Sequence, residues 1–180
     1  MTSPQVFSLW VVDLSMVIDI SMVIDIMCFL GFALIISYIV SIIVKDKAVP
    51  QSISATVYSL SNNWKWYFTV VMYLTSFLIL PRLLDCVSED TQVLAFLSGA
   101  GLLGVGADPL CHGEKNITHY VSAVLFGVAS QIMVILNAPY LMATWIPYII
   151  YTLACEHGGK NMFCAEMSML SNLALLCVVS

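Results

Sequence analysis

Apolar residues in this chain come in long blocks rather than in alternation. A helix needs about 20 residues to cross roughly 30 Å of hydrocarbon at 1.5 Å per residue. Six blocks of that size are present, near residues 22–44, 66–84, 92–110, 117–137, 139–156 and 161–179. None shows the period-two pattern of a barrel strand. In lipid every backbone group must be paired within its own segment, so such blocks predict helices. The expected fold is all-α, an integral membrane bundle of about six transmembrane helices.

The first block begins too early to be a single span, because residues 11–44 as one helix would reach about 50 Å. It contains the tandem repeat SMVIDI-SMVIDI, residues 15–20 and 21–26. A step of six residues turns a helix by about 600°, so Asp13, Asp19 and Asp25 point in three directions. Each would cost about 2.5–3.5 kcal/mol at the bilayer centre. Residues 1–21 are therefore expected to form an interfacial or extramembrane N-terminal segment. Residues 22–180 are expected to form a single six-helix transmembrane domain, with Asp25 near the membrane boundary.

Composition agrees with a lipid environment. The 180 residues are 61% hydrophobic and 9% charged, with a mean hydropathy of +0.96, whereas soluble domains carry about 25% charged residues. Six Lys or Arg and eleven Asp or Glu cannot cover a soluble core of this length. A net charge of −5 with no basic cluster excludes nucleic acid as a partner. The start, MTSPQVFSLW, has no positive region ahead of its apolar stretch, so the first block is expected to be retained. Six cysteines lie in or beside apolar runs and read as buried hydrophobes rather than a disulfide framework.

Lys45, Lys47, Lys65, Lys115 and Lys160 fall in the first, third and fifth loops, and only Arg82 falls on the other side. That asymmetry predicts those three loops in the cytoplasm and both termini outside. The sequon Asn116-Ile117-Thr118 then lies on the cytoplasmic side and is read as accidental. Residues 45–65 form the longest polar connection, followed by Trp64, Trp66 and Tyr67 as an interfacial aromatic belt. Asn137-Ala138-Pro139 is expected to turn tightly between the fourth and fifth spans.

Residues 99–104 match the letters of the dinucleotide pattern G-x-G-x-x-G but lack the strand, helix and acidic residue that give it meaning. Ala100, Gly104 and Asp108, with Ala95, Gly99 and Gly106 nearby, read instead as a small-residue face for close helix packing. In the fourth span His119, Ser122, Ala123, Gly127, Ser130 and Gln131 recur at spacings of three and four, as do Tyr140, Thr144, Tyr148, Tyr151 and Cys155 in the fifth. Pro147 is expected to kink the fifth span. Glu166 enters the sixth span with no cationic neighbour in sequence, and an ionisable group inside a membrane needs a partner or a watery cavity.

These positions support one leading expectation. His119, Ser122, Gln131, Tyr148, Tyr151 and Glu166 form a ligand-binding or proton-linked site in a non-enzymatic bundle, with no catalytic residue and no cofactor. His119 would titrate, imidazole being the side chain that changes charge nearest neutral pH, and Glu166 would be its counter-charge. A rival is a metal-dependent hydrolase with zinc held by Asp108, His112, His119 and His157, near Cys111, Cys155, Glu156 and Cys164; no H-x-x-x-H or C-x-x-C spacing occurs. A third expectation is a structural protein. Expected partners are the lipid bilayer itself, a second copy of the chain or another membrane protein.

Residues 49–58 (VPQSISATVY), Leu80-Pro81, residues 91–109 (TQVLAFLSGAGLLGVGADP) and residues 119–123 (HYVSA) resemble an uncharacterised family of small multi-spanning proteins of gut bacteria and their prophages. The likeness covers most of residues 49–170. The chain is also loosely similar to DUF998-like membrane proteins, through a glycine-rich span ending in proline and a following helix that begins with His. The resemblance implies a six-helix protein of the bacterial inner membrane and carries no activity of its own.

Overall fold

The computed structural model describes the backbone of residues 4–108, 117–154 and 162–180, and side chains within them from Ile20 onward. Among these residues the chain is helical, with no strand. The elements are α1 (Pro4–Asp46), α2 (Lys65–Asp85), α3 (Gln92–Ala107), α4 (Ile117–Asn137), α5 (Ile146–Ala154) and α6 (Phe163–Val179). Four stretches, Ile20–Asp46, Asn62–Asp85, Glu89–Ala107 and Ile117–Asn137, are long and apolar enough to cross a membrane. The 17 residues of α6 reach about 25 Å.

Helix α1 runs unbroken through the SMVIDI repeat for 43 residues, about 65 Å. That is twice the hydrocarbon depth, so a large part of it must lie outside the membrane core. The fifth apolar block departs most from expectation. It is not one helix kinked at Pro147: residues Pro139–Trp145 wind as a 3₁₀ helix, and α5 follows with nine residues. Pro139 supplies the fixed φ that starts a helix, but seven residues at three per turn run out of step with an α-helix.

Sequential helices pack side by side, α1 on α2, α2 on α3 and most extensively α3 on α4. Glycines let them approach. A Cβ on Gly101 would lie 2.8 Å from the Phe126 Cα and the Ser122 carbonyl oxygen of α4, and one on Gly106 would lie 2.6 Å from Met72 Cβ of α2. The small-residue face expected in α3 is thus two faces: Gly101 and Gly104 meet α4, while Gly99 and Gly106 meet α2. Ala100 points outward.

Polar stitches mark the two ends of the bundle. At one end the Arg82 guanidinium lies 3.2 Å from the Asp25 carboxylate of α1 and 3.3 Å from Asp85. Arg82 also donates to the Cys177 carbonyl at the close of α6, at 3.1 and 3.2 Å. Ser88 N–H donates to the Asn137 side-chain oxygen at 3.1 Å, joining the α2–α3 connection to the end of α4. At the opposite end, the Phe163 N–H donates to the Gln51 carbonyl at 3.0 Å, and the Ile53 N–H donates to the Glu166 carboxylate. The start of the α1 span, the end of α2 and the end of α6 therefore share one end, as an alternating up-down path requires.

The connection 45–65 is a polar loop by composition, yet its middle is inside the protein. Thr56 and Val57 are fully buried and Ile53 nearly so. They pack against Ile35, Tyr38, Phe68 and Met72 in one of two core clusters. Thr56 accepts or donates to the Tyr38 hydroxyl at 2.7 Å, which satisfies both buried groups. Lys45 and Asp46 at the end of α1 each hydrogen-bond Ser59, tying the segment down.

Candidate functional site

This tucked-in segment closes one end of a cavity of about 610 Å³, within the usual range for small-molecule sites. Helix α4 supplies one wall, through His119, Tyr120, Val124, Gly127, Val128 and Gln131. That stripe follows helical spacing, since positions three and four apart share a face. Glu166, Met169 and Leu170 of α6 face it, Ser52, Ile53 and Ser54 close the end, and Met72, Leu102 and Val105 lie at the back. Tyr120, Val124 and Val128 are also more than half exposed on the outer surface of the bundle. The cavity is therefore open along α4 rather than enclosed.

Most of the lining is apolar, so its polar atoms stand out. His119 is only 4% exposed, and its Nδ1 has no hydrogen-bond partner among the described residues. An unsatisfied buried polar atom costs about 1–3 kcal/mol, which a bound group would relieve. Its ring meets Tyr120 edge to face at 6.0 Å. Glu166 is half-buried and spends Oε2 on the Ile53 N–H. Ser52 and Ser54 hydroxyls lie 3.1 Å apart beside it. No Lys or Arg lines the cavity among the described residues.

The floor is a buried amide network. Trp145 Nε1 donates to Gln131 Oε1 at 2.8 Å, and the Asn172 and Gln131 amides are 2.8 Å apart. The Thr144 hydroxyl reaches Asn172, whose side chain is fully buried. Turned the other way, the Asn172 amide nitrogen would donate to the Leu141 carbonyl at 2.6 Å. Such networks hold helices in register because each partner left alone would be costly. Here they join α4, the 3₁₀ segment and α6.

Of the ligand-binding positions expected from sequence, His119, Gln131 and Glu166 share this cavity. Ser122 does not line it; its side chain fits against Gly104 of α3. Tyr148 packs on Trp145, ring centroids 5.6 Å apart, and neither Tyr148 nor Tyr151 lines the cavity. The reason is the 3₁₀ segment, which adds about 20° per residue relative to an α-helix, or roughly 140° over seven residues. A stripe drawn at α-helical spacing from Tyr140 cannot continue past it. Trp145 and Asn172 also belong to the site, and an amide in the middle of an apolar span is itself a signal of one.

For the zinc alternative, His112 and His157 lie outside the described residues. Asp108 ends α3, and His119 faces the cavity. Among the described residues no three His, Cys, Asp or Glu side chains form a metal-ligand group. The arrangement is that of a helical bundle with an open, mainly apolar cavity. No known protein family, curated protein or solved structure matches the chain.

Proposed function

We propose that the chain is a multi-pass membrane protein that binds a small amphiphilic ligand, with proton exchange linked to binding. Its six apolar segments cross the bilayer, four of them as helices long enough to do so alone. The lysine distribution supports both termini outside, and the family resemblance supports the bacterial inner membrane.

The observation that carries this reading is a mainly apolar cavity of about 610 Å³ lined by His119, Gln131 and Glu166. Glu166 supplies an acidic group, and Gln131, held by Trp145 and Asn172, offers a fixed amide. Ser122 packs on Gly104 and Tyr148 on Trp145 rather than meeting the ligand.

Native mass spectrometry of protein released from a mild detergent tests the proposal. The wild type should carry a small-molecule adduct. Gly127→Phe, which fills the cavity beside Met169, should lose it, and Val121→Phe on the outer face should keep it. Absence of an adduct from the wild type, or its retention in Gly127→Phe, would remove the proposal.

A further inference from the structure

The cavity has a chemical polarity that narrows its occupant. Glu166 is the sole charged side chain among the described lining residues. It makes one hydrogen bond, through Oε2, and pairs with no cation among the described residues. An ionised carboxylate in an apolar surround is stabilised most by a cation brought to it. The remaining acceptors nearby are the Ser52 and Ser54 hydroxyls. Tyr120 and Phe126 add aromatic side chains to the lining, and aromatic rings attract cations. Between that end and the Gln131–Trp145 pair the lining is aliphatic and methionine-rich, through Ile35, Met72, Leu102, Met169 and Leu170.

Resting on the binding reading above, we infer that the ligand is a hydrophobic amine, whose protonated head meets Glu166 and whose single apolar tail lies along α4. It enters sideways from the bilayer, past Tyr120, Val124 and Val128. A phospholipid, even one with an amine head, is not matched by the described lining. Its phosphate would sit beside Glu166 with no Lys or Arg among the described lining residues to pair with it. Like charges at that range repel, and desolvation adds to the cost.

Dodecylamine, dodecanol and dodecanoate share a chain and differ only in the head, so they separate charge from apolar burial. Binding of radiolabelled dodecylamine to immobilised, detergent-solubilised protein is measured by scintillation proximity, with the other two and phosphatidylethanolamine as competitors. The amine should bind the wild type at least about tenfold tighter than the alcohol or the carboxylate, the scale of one charge-assisted hydrogen bond. Phosphatidylethanolamine should not displace it. Glu166→Gln keeps an acceptor for the Ile53 N–H, so the fold should hold, as an unchanged melting temperature would show. That variant should lose the preference for amine while still binding dodecanol as the wild type does.

Equal affinity for the three chains in the wild type, or an amine preference that survives Glu166→Gln, would overturn the inference and leave the cavity standing. Displacement by phosphatidylethanolamine would overturn it in favour of a phospholipid. Equal binding of all three to the wild type and to Gly127→Phe would remove the inference together with the reading beneath it.

Discussion

Arg82 shows how a charge earns its place in an apolar bundle. Its side chain is mostly buried, and three groups from α1, α2 and α6 converge on it. The pair with Asp25 is exposed on the acid's side, so solvent screens it. The bonds to the Cys177 carbonyl satisfy a helix end that has no intrahelical donor. Arg82→Ala should therefore lower stability by about 1–3 kcal/mol, and Asp25→Ala by less than about 1 kcal/mol. Detergent-resistant melting followed by circular dichroism checks the order; equal losses would mean that the ion pair dominates. His119, Gln131 and Glu166 could be picked out from sequence because a polar atom in an apolar block must be accounted for. The partner of Asp25 could not, because Arg82 is 57 positions away and only the helix path brings them together. Asn172 obeys the same rule as Gln131 and Glu166.

Helices with simple periodicity were readable in advance, and elements that break the period were not. The boundaries of α2, α4 and α6 fall within two residues of the apolar blocks, since lipid thickness sets their length. The 3₁₀ turn over Pro139–Trp145 has the same apolar composition as an α-helix, so no block pattern distinguishes it. The segment 49–60 misled for the converse reason: its serines and threonines find partners inside the protein, so polar composition did not mean exposure. In α3 the glycines were recognisable, but which neighbour each one met depends on two crossings at once. Gly101→Ala should cost about 1–3 kcal/mol, because the added methyl meets backbone that cannot rotate away. Ala100→Leu, on the outward side, should cost almost nothing. Thermal unfolding of the two variants side by side measures the difference, and similar midpoints would refute the assigned faces.

The whole bundle presents apolar side chains outward on nearly every helix. Phe29, Phe77, Phe96 and Leu153 are all more than half exposed, and a water-soluble monomer does not keep so much apolar surface bare. The inside is mainly apolar as well, with Thr56, Thr75, Ser98, Ser130 and Asn172 among its few polar residues. The apolar exterior was foreseeable from composition alone, because charged residues are too few to coat the surface. The cavity was not foreseeable, since it depends on the folded-in segment 49–60 and on the turn that carries Trp145 to Gln131.

The bilayer is thus the solvent on which the account depends, and accessibility of site-specific spin labels tests it directly. With the native cysteines replaced, labels at Phe77 of α2 and Val128 of α4 are placed in liposomes, and their collision rates with molecular oxygen and with a water-soluble nickel chelate are compared. Both should collide often with oxygen, which concentrates in hydrocarbon, and rarely with the chelate. A label at either position that meets the nickel chelate as freely as one on an aqueous loop would contradict the account.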